Sequence, residues 1–260
     1  LSHTTQFAIT HQHFQLKWLC RVSLTGLTIK DPQDNVMLAV DQLALKVNPL
    51  QLLTNMHITL QTVCIRGAQV HLCKEDAAGY NMHVLLQRLV GATKPAPSTH
   101  HDHAASFVIE KAYLHDVTLS VDDRQALPLQ DGFDIQHLTL HKMDAELANL
   151  KAQASTLAVD ICHFTGKHAD RPLLVDHFRT SLLVAPDGVE FKALQLRTGC
   201  STLEGSCTLT YDLSLPPAAF KDNVHMTAHL SSAVIAAEEL AVFLPYFKQH
   251  KTSYSLSGAL

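Results

Sequence analysis

Thr202-Leu-Glu-Gly-Ser-Cys-Thr-Leu-Thr-Tyr-Asp-Leu213 decides the fold. Leu203, Gly205, Cys207, Leu209, Tyr211 and Leu213 fall on one parity, and Glu204, Ser206, Thr208, Thr210 and Asp212 on the other. Successive side chains of a strand point to opposite faces, so this stretch is a strand with one apolar and one wet side, as an antiparallel sheet permits. Pro216-Pro217 stops it, because proline brings no N–H to the ladder. Just upstream, Leu182 to Val184 reaches the turn Ala185-Pro186-Asp187-Gly188. Val189, Phe191, Leu194 and Leu196 return, and Thr198-Gly199 turns into the strand quoted first. The three strands form a meander.

The same period recurs toward the N-terminus. Val22, Leu24, Leu27 and Ile29 carry it, then Leu38 and Val40, then Leu43, Leu45 and Val47. Ile58 and Leu60 are followed by Val63 and Ile65, and past Gly67 by Val70 and Leu72. Further strands are predicted around Phe107 and Ile109, Val117 to Val121, Phe133 to Leu140, and Leu157 to Ile161. Parity slips by one from Val40 to Leu43, from Leu60 to Val63 and from Ile135 to Leu138. Such a slip turns every later side chain over unless a bulge restores the face. A flat sandwich needs few bulges; a curved sheet needs many. The prediction is a mainly β chain: one long, curved, twisted antiparallel sheet, taco-like or groove-shaped, with two or three short helices. The helices are expected at Pro49–Leu53, at Met82–Val90 capped by Asn81, and at Ala236–Phe247, shortened by Pro245. Glu238-Glu239 suits the positive end of the last one. Residues 92–104 read as a linker between a first block, 1–91, and a second, 105–260.

Of 260 residues, 47% are hydrophobic and 17% charged, which excludes a disordered polyelectrolyte. Twenty Lys and Arg face twenty-four Asp and Glu, and no basic tract stands out, which argues against nucleic acid as a partner. No run of eighteen apolar residues provides a membrane-spanning helix. The chain starts at Leu1 and stops in mid-pattern, as an excised piece of a longer protein is expected to. Six cysteines lack CxxC spacing, and several read as small buried hydrophobes, with one or two disulfides as the alternative. The eighteen histidines are dispersed; His100-His-Asp-His103 reads as a solvated loop, and no metal site or cofactor is assigned. Asp122-Asp123-Arg124 reads as a solvated hairpin turn. No catalytic or phosphate-binding motif occurs, so an enzyme is not expected. What such a sheet offers is a large apolar face, which either packs on a second sheet or stays open as a groove for acyl chains. A β-sandwich with a closed core and no conduit is the alternative.

The order of Phe14, Leu16 and Trp18, Leu24-Thr-Gly-Leu-Thr-Ile-Lys-Asp31, Leu38–Val47, Pro49–Leu53, Ile65-Arg-Gly67, Val70-His-Leu72 and Gly79-Tyr-Asn81 resembles the AsmA/TamB family, in its Bacteroidetes-type translocation and assembly module branch. Phe164-Thr-Gly166, Ser201–Gly205, Leu209-Thr-Tyr211, Leu240, Phe243-Leu-Pro245 and Leu256-Ser-Gly258 fit the same family in the second block. The resemblance implies a periplasmic body anchored to the inner membrane by a helix upstream of Leu1. It implies phospholipid and the outer-membrane protein assembly machinery as partners, and no catalytic residues. The implied functional feature is the apolar lining: Leu138, Leu140, Val189, Phe191, Leu194, Leu196, Leu203, Leu209 and Tyr211. The high His and Cys content departs from the family, and free thiols sit awkwardly in an oxidising compartment.

Overall fold

The computed structural model describes residues 7–18, 20–47, 58–74, 80–82, 84–85, 106–129, 133–153, 156–169, 173–210, 225–243, 245–249 and 252–259. Thirteen strands make one sheet. They are β1 (Ala8–Thr10), β2 (His13–Lys17), β3 (Arg21–Lys30), β4 (Val36–Val47), β5 (Ile58–Lys74), β6 (Ser106–Asp123) and β7 (His137–Gln153). There follow β8 (Thr156–His168), β9 (Leu174–Ala185), β10 (Gly188–Thr198), β11 (Thr202–Thr210), β12 (His225–Ala236) and β13 (Ser253–Ala259). β1 and β2 both lie along the outer edge of β3, and from β3 the spatial order follows the sequence to β13. The path never returns to its start, so the sheet is open, with β1 and β2 on one edge and β13 on the other. Among the described residues no second sheet packs on it.

One pairing departs from the antiparallel expectation. β5 and β6 run parallel, from Ile58↔Phe107 to Lys74↔Asp123. Parallel neighbours need a crossover of a dozen or more residues, and the thirty-one between Lys74 and Ser106 provide it. The two blocks expected from sequence therefore share one continuous ladder; the linker 92–104 lies outside the described residues.

The parity slips line up. In β3 the apolar set jumps from Leu24 to Leu27, in β4 from Val40 to Leu43, in β5 from Ile65 to Ala68 and in β6 from Leu114 to Val117. The register Leu24↔Leu43↔Ile65↔Leu114 and Leu27↔Val40↔Ala68↔Val117 puts all four jumps at one level. Gly26, Gly67 and Asp116 sit in the gaps with positive φ (61°, 60° and 53°). At Gly67 a Cβ would run into the Asp41 carboxylate on the next strand, so glycine alone fits. Further along, Ala193 (φ 50°) fills the slip from Phe191 to Leu194, and register shifts follow across β11, β12 and β13. A bulge bends its strand and tightens its twist. Bulges aligned across neighbouring strands fold the whole sheet along a line, which makes it groove-like. The third expected slip differs: Ile135 is exposed in the loop before β7, so it belongs to no strand.

The last helix, α1, spans Ala237–Phe243 and gives way to a 3-10 turn at Pro245–Gln249. Proline has no N–H for the α-helical ladder, which accounts for the break. Residues 81–82 and 84–85 are also helical; Pro49–Leu53 and positions 86–90 lie outside the described residues. Three clusters of buried residues stand out among the described residues. Val40, Ala68, Val117 and Met143 line the crease, Phe7, Met37 and Leu85 form a corner, and Ala228, Leu230 and Ala233 form a third group. Alanine recurs because, without a second layer, only short side chains are covered by their sheet neighbours alone. The cysteines follow the same rule. Cys162 and Cys200 are exposed, and Cys20, Cys64, Cys73 and Cys207 are half-buried, not buried as expected.

Candidate functional site

Residues paired across antiparallel or parallel strands point to the same face. Following the register sideways from Phe14 gives Leu24, Leu43, Ile65, Leu114, Ala145, Phe164, Phe178, Leu196, Leu203, Ala233 and Leu256. This row crosses twelve strands without one polar member. At about 4.8 Å per strand it runs on the order of 50 Å. Its flanking residues, such as Ser23 and Thr25, Cys64 and Arg66, Asp144 and Glu146, or Gln195 and Arg197, face the other side. In the row only Ala145 and Ala233 are buried. Leu43, Ile65, Leu114, Phe164, Phe178, Leu196 and Leu203 keep part of their surface accessible, and the ends are open, with Phe14 58% and Leu256 43% exposed. A second sheet on this face would have buried the central residues completely. Among the described residues no second sheet roofs the row.

Eight of the nine residues singled out from sequence lie on this apolar face. Val189 pairs with Leu209, Leu194 with Gly205, Leu196 with Leu203, and Phe191 with Cys207. Leu138 and Leu140 stand apart on β7, three strands away. Leu140 pairs with Leu119 and His168 near one long margin of the sheet. Leu138 is buried and the other seven are half-buried. Tyr211 lies outside the described residues. Phe14, Leu43, Ile65, Leu114, Phe164 and Phe178 join the row without having been singled out. Parity within each strand marks them as apolar, but only the inter-strand register shows that they are collinear.

Two helical pieces rest on this face. Near the first edge, Met82, Val84 and Leu85 pack on Phe7, Ile29 and Met37. Asn81 ties that turn to β5: Met82 N–H (2.8 Å) and Cys73 N–H (3.3 Å) donate to its Oδ1, and its Nδ2 donates to the His71 carbonyl (3.0 Å). Near the far edge, α1 lies over β9 to β12 and bounds a half-open cavity of about 290 Å³. Leu173, Val175, Leu196, Leu203, Ile235, Leu240 and Phe243 supply its apolar wall. Glu239, which sequence reading assigned only to the helix dipole, is buried beneath α1. Thr198 Oγ1 donates to it at 2.5 Å and Cys200 N–H at 3.0 Å, and Ser201 Oγ donates as well. Ser201 Oγ in turn accepts from Ala236 N–H at 3.0 Å. This clamp fixes the first turn of α1 to the β10–β11 turn.

The polar groups gather at the strand ends. Asp122-Asp123-Arg124 is not wholly a solvated turn: Asp122 and Arg124 are exposed, but Asp123 is buried and ion-paired to Lys74 at 2.8 Å. The parallel register sets these two residues side by side. Their hydrogen bond lowers the Asp123 carboxyl below the usual carboxylate range and raises the Lys74 ammonium above its own. His137 bonds Asp134 through Nδ1 at 2.9 Å, which raises its pKa. A cavity of about 580 Å³ on the polar face takes in His71, Ser120, Asp122, Arg124, His137 and Thr139. Among the described residues no group of three or more His, Cys, Asp or Glu is placed to hold a metal ion, and no helix is long and apolar enough to cross a membrane. No protein-family model and no curated protein matches the chain.

Proposed function

We propose that this chain is a segment of a periplasmic, inner-membrane-anchored protein of the AsmA/TamB type. It binds or conducts phospholipid acyl chains across the envelope and so supports outer-membrane biogenesis and protein assembly or secretion. The observation that carries the reading is the unbroken apolar row from Phe14 to Leu256, ten of whose twelve members keep surface accessible, open at both edges. Burying a methylene contributes about 0.8 kcal/mol, and a wall on one side only gives part of that. A chain lying along the row meets equivalent contacts at each strand, with no deep well to hold it. Weak, repeated sites are what passage requires, whereas tight storage needs an enclosed pocket. The polar reverse face keeps the trough in water. The AsmA/TamB resemblance supplies the compartment and the outer-membrane partners.

The test is lipid extraction from the purified protein, with fluorescent phospholipid transfer between vesicles as a second readout. The wild type is expected to carry phospholipid and speed transfer. Phe191→Asp and Leu209→Asp, which place a charge on the half-buried face, are expected to lose both. A folded wild type that retains no lipid and transfers none would end the proposal.

A further inference from the structure

Leu196 and Leu203 belong both to the open row and to the wall of the cavity beneath α1. The trough therefore runs into a half-open recess at this point. Val175, Ile235, Leu240 and Phe243 complete an apolar lining around about 290 Å³. An engineered cavity of about 150 Å³ with such a lining stays dry and takes up benzene, so this one has room for a longer hydrocarbon. Its one charged neighbour is fully occupied: the Glu239 carboxylate receives Thr198, Ser201 and the Cys200 N–H. Among the described residues of the lining, Thr202 is the one polar side chain outside this clamp, and it lies on the opposite parity to Leu203.

We propose that the cavity beneath α1 is a blind pocket for the methyl end of a single alkyl chain. The proposal rests on the reading of the row as an acyl trough and adds a stop to it. A chain moving along the row enters under α1 tail first, and its polar end stays outside.

The probe is dodecanoate carrying ¹³C at its terminal methyl. Wild-type protein is expected to show contacts from that methyl to Leu203, Leu240 and Phe243 by NMR. Dodecanedioate, whose second carboxylate would have to enter a dry pocket, is expected to bind at least tenfold more weakly by calorimetry; this comparison needs no variant. Leu240→Trp fills the cavity and is expected to weaken dodecanoate at least tenfold. Ile65→Asp, in the row but far from α1, is expected to keep the methyl contacts and lose phospholipid. Equal affinity for the diacid, or methyl contacts elsewhere in the row, overturns the pocket and leaves the trough standing. Methyl contacts under α1 in a protein that retains no phospholipid keep the pocket and overturn the trough. Binding of neither probe overturns both.

Discussion

Two helical pieces lie on the same apolar face near the same margin, and they close it differently. At the β3–β4 corner, Phe7 and Met37 are 1% and 0% exposed beneath Met82, Val84 and Leu85. At the β9–β12 corner, α1 spans four strands and leaves about 290 Å³ unfilled. A short helix on this sheet can seal the face, so the hollow under α1 is not forced by the architecture. The means of attachment differ accordingly. The first corner is held by packing, with Asn81 as a polar tie; the second is held by the Glu239 clamp and by Phe133, whose ring lies 5.1 Å from Phe243.

Truncation is the harshest test of that contrast. Met37→Ala removes a fully covered side chain from a filled corner and is expected to cost about 2–5 kcal/mol. Leu240→Ala only widens a space that already exists and is expected to cost about 1 kcal/mol. Urea unfolding of both variants measures the pair. Equal losses would mean that the two corners are packed alike and that the hollow has no energetic reality.

The polar ties sharpen the contrast in the opposite direction. Glu239→Ala removes the acceptor shared by the buried Thr198, the half-buried Ser201 and the Cys200 N–H, and is expected to cost about 1–3 kcal/mol. Asn81→Ala is expected to cost about 1 kcal/mol, because Met82, Val84 and Leu85 still hold their turn in place. Hydrogen exchange in α1 measures the first and exchange at Cys73 and Met82 the second. A Glu239 variant with α1 still protected would show that packing alone anchors the helix.

Strand identity and facing were readable because parity is local. Leu203, Cys207 and Leu209 announce their face within seven residues, and the proline at 245 marks where α1 ends. Curvature was half readable: the jump from Val40 to Leu43 calls for a bulge, but its alignment with Gly26, Gly67 and Asp116 depends on register between distant strands. The parallel β5–β6 pair was not readable, since a crossover leaves no mark on the parity of either strand. Phe133 and Ile135 carry the right period and still lie in a loop, because two apolar residues do not specify a strand. Asp123 was misread because a carboxylate beside a turn looks solvated until the end of β5 that covers it is known to be there. Glu239 does open α1 as its dipole position suggests, but its clamp to the β10–β11 turn rests on contacts about forty residues apart in sequence, which parity does not reveal.

The gentlest perturbation separates the corners by pH. Asp134 follows Phe133, and its carboxylate holds the loop by accepting from the Leu129 and Gln136 N–H groups (2.8 and 3.0 Å) and from His137. Burial alone would push Asp134 up, but these hydrogen bonds outweigh it and its pKa falls below the ordinary 3.8. The bond to Asp134 lifts His137 above the ordinary 6.5, against the opposing effect of burial. The histidine contribution is therefore complete below about pH 6.5 and fades as pH rises through the raised value in the folded protein. The Asp134 contribution is complete above about pH 3.8 and fades as pH falls through the lowered one. Between those limits the loop is firmest, and Phe133 braces Phe243 best. Raising the pH from 6 to 9 is expected to speed hydrogen exchange in α1 slightly, after correction for the intrinsic pH dependence, and to leave residues 81–85 unchanged. His137→Gln is expected to abolish that difference. Were both corners to loosen together, the loop would not be what supports α1, and the brace would reduce to the Glu239 clamp.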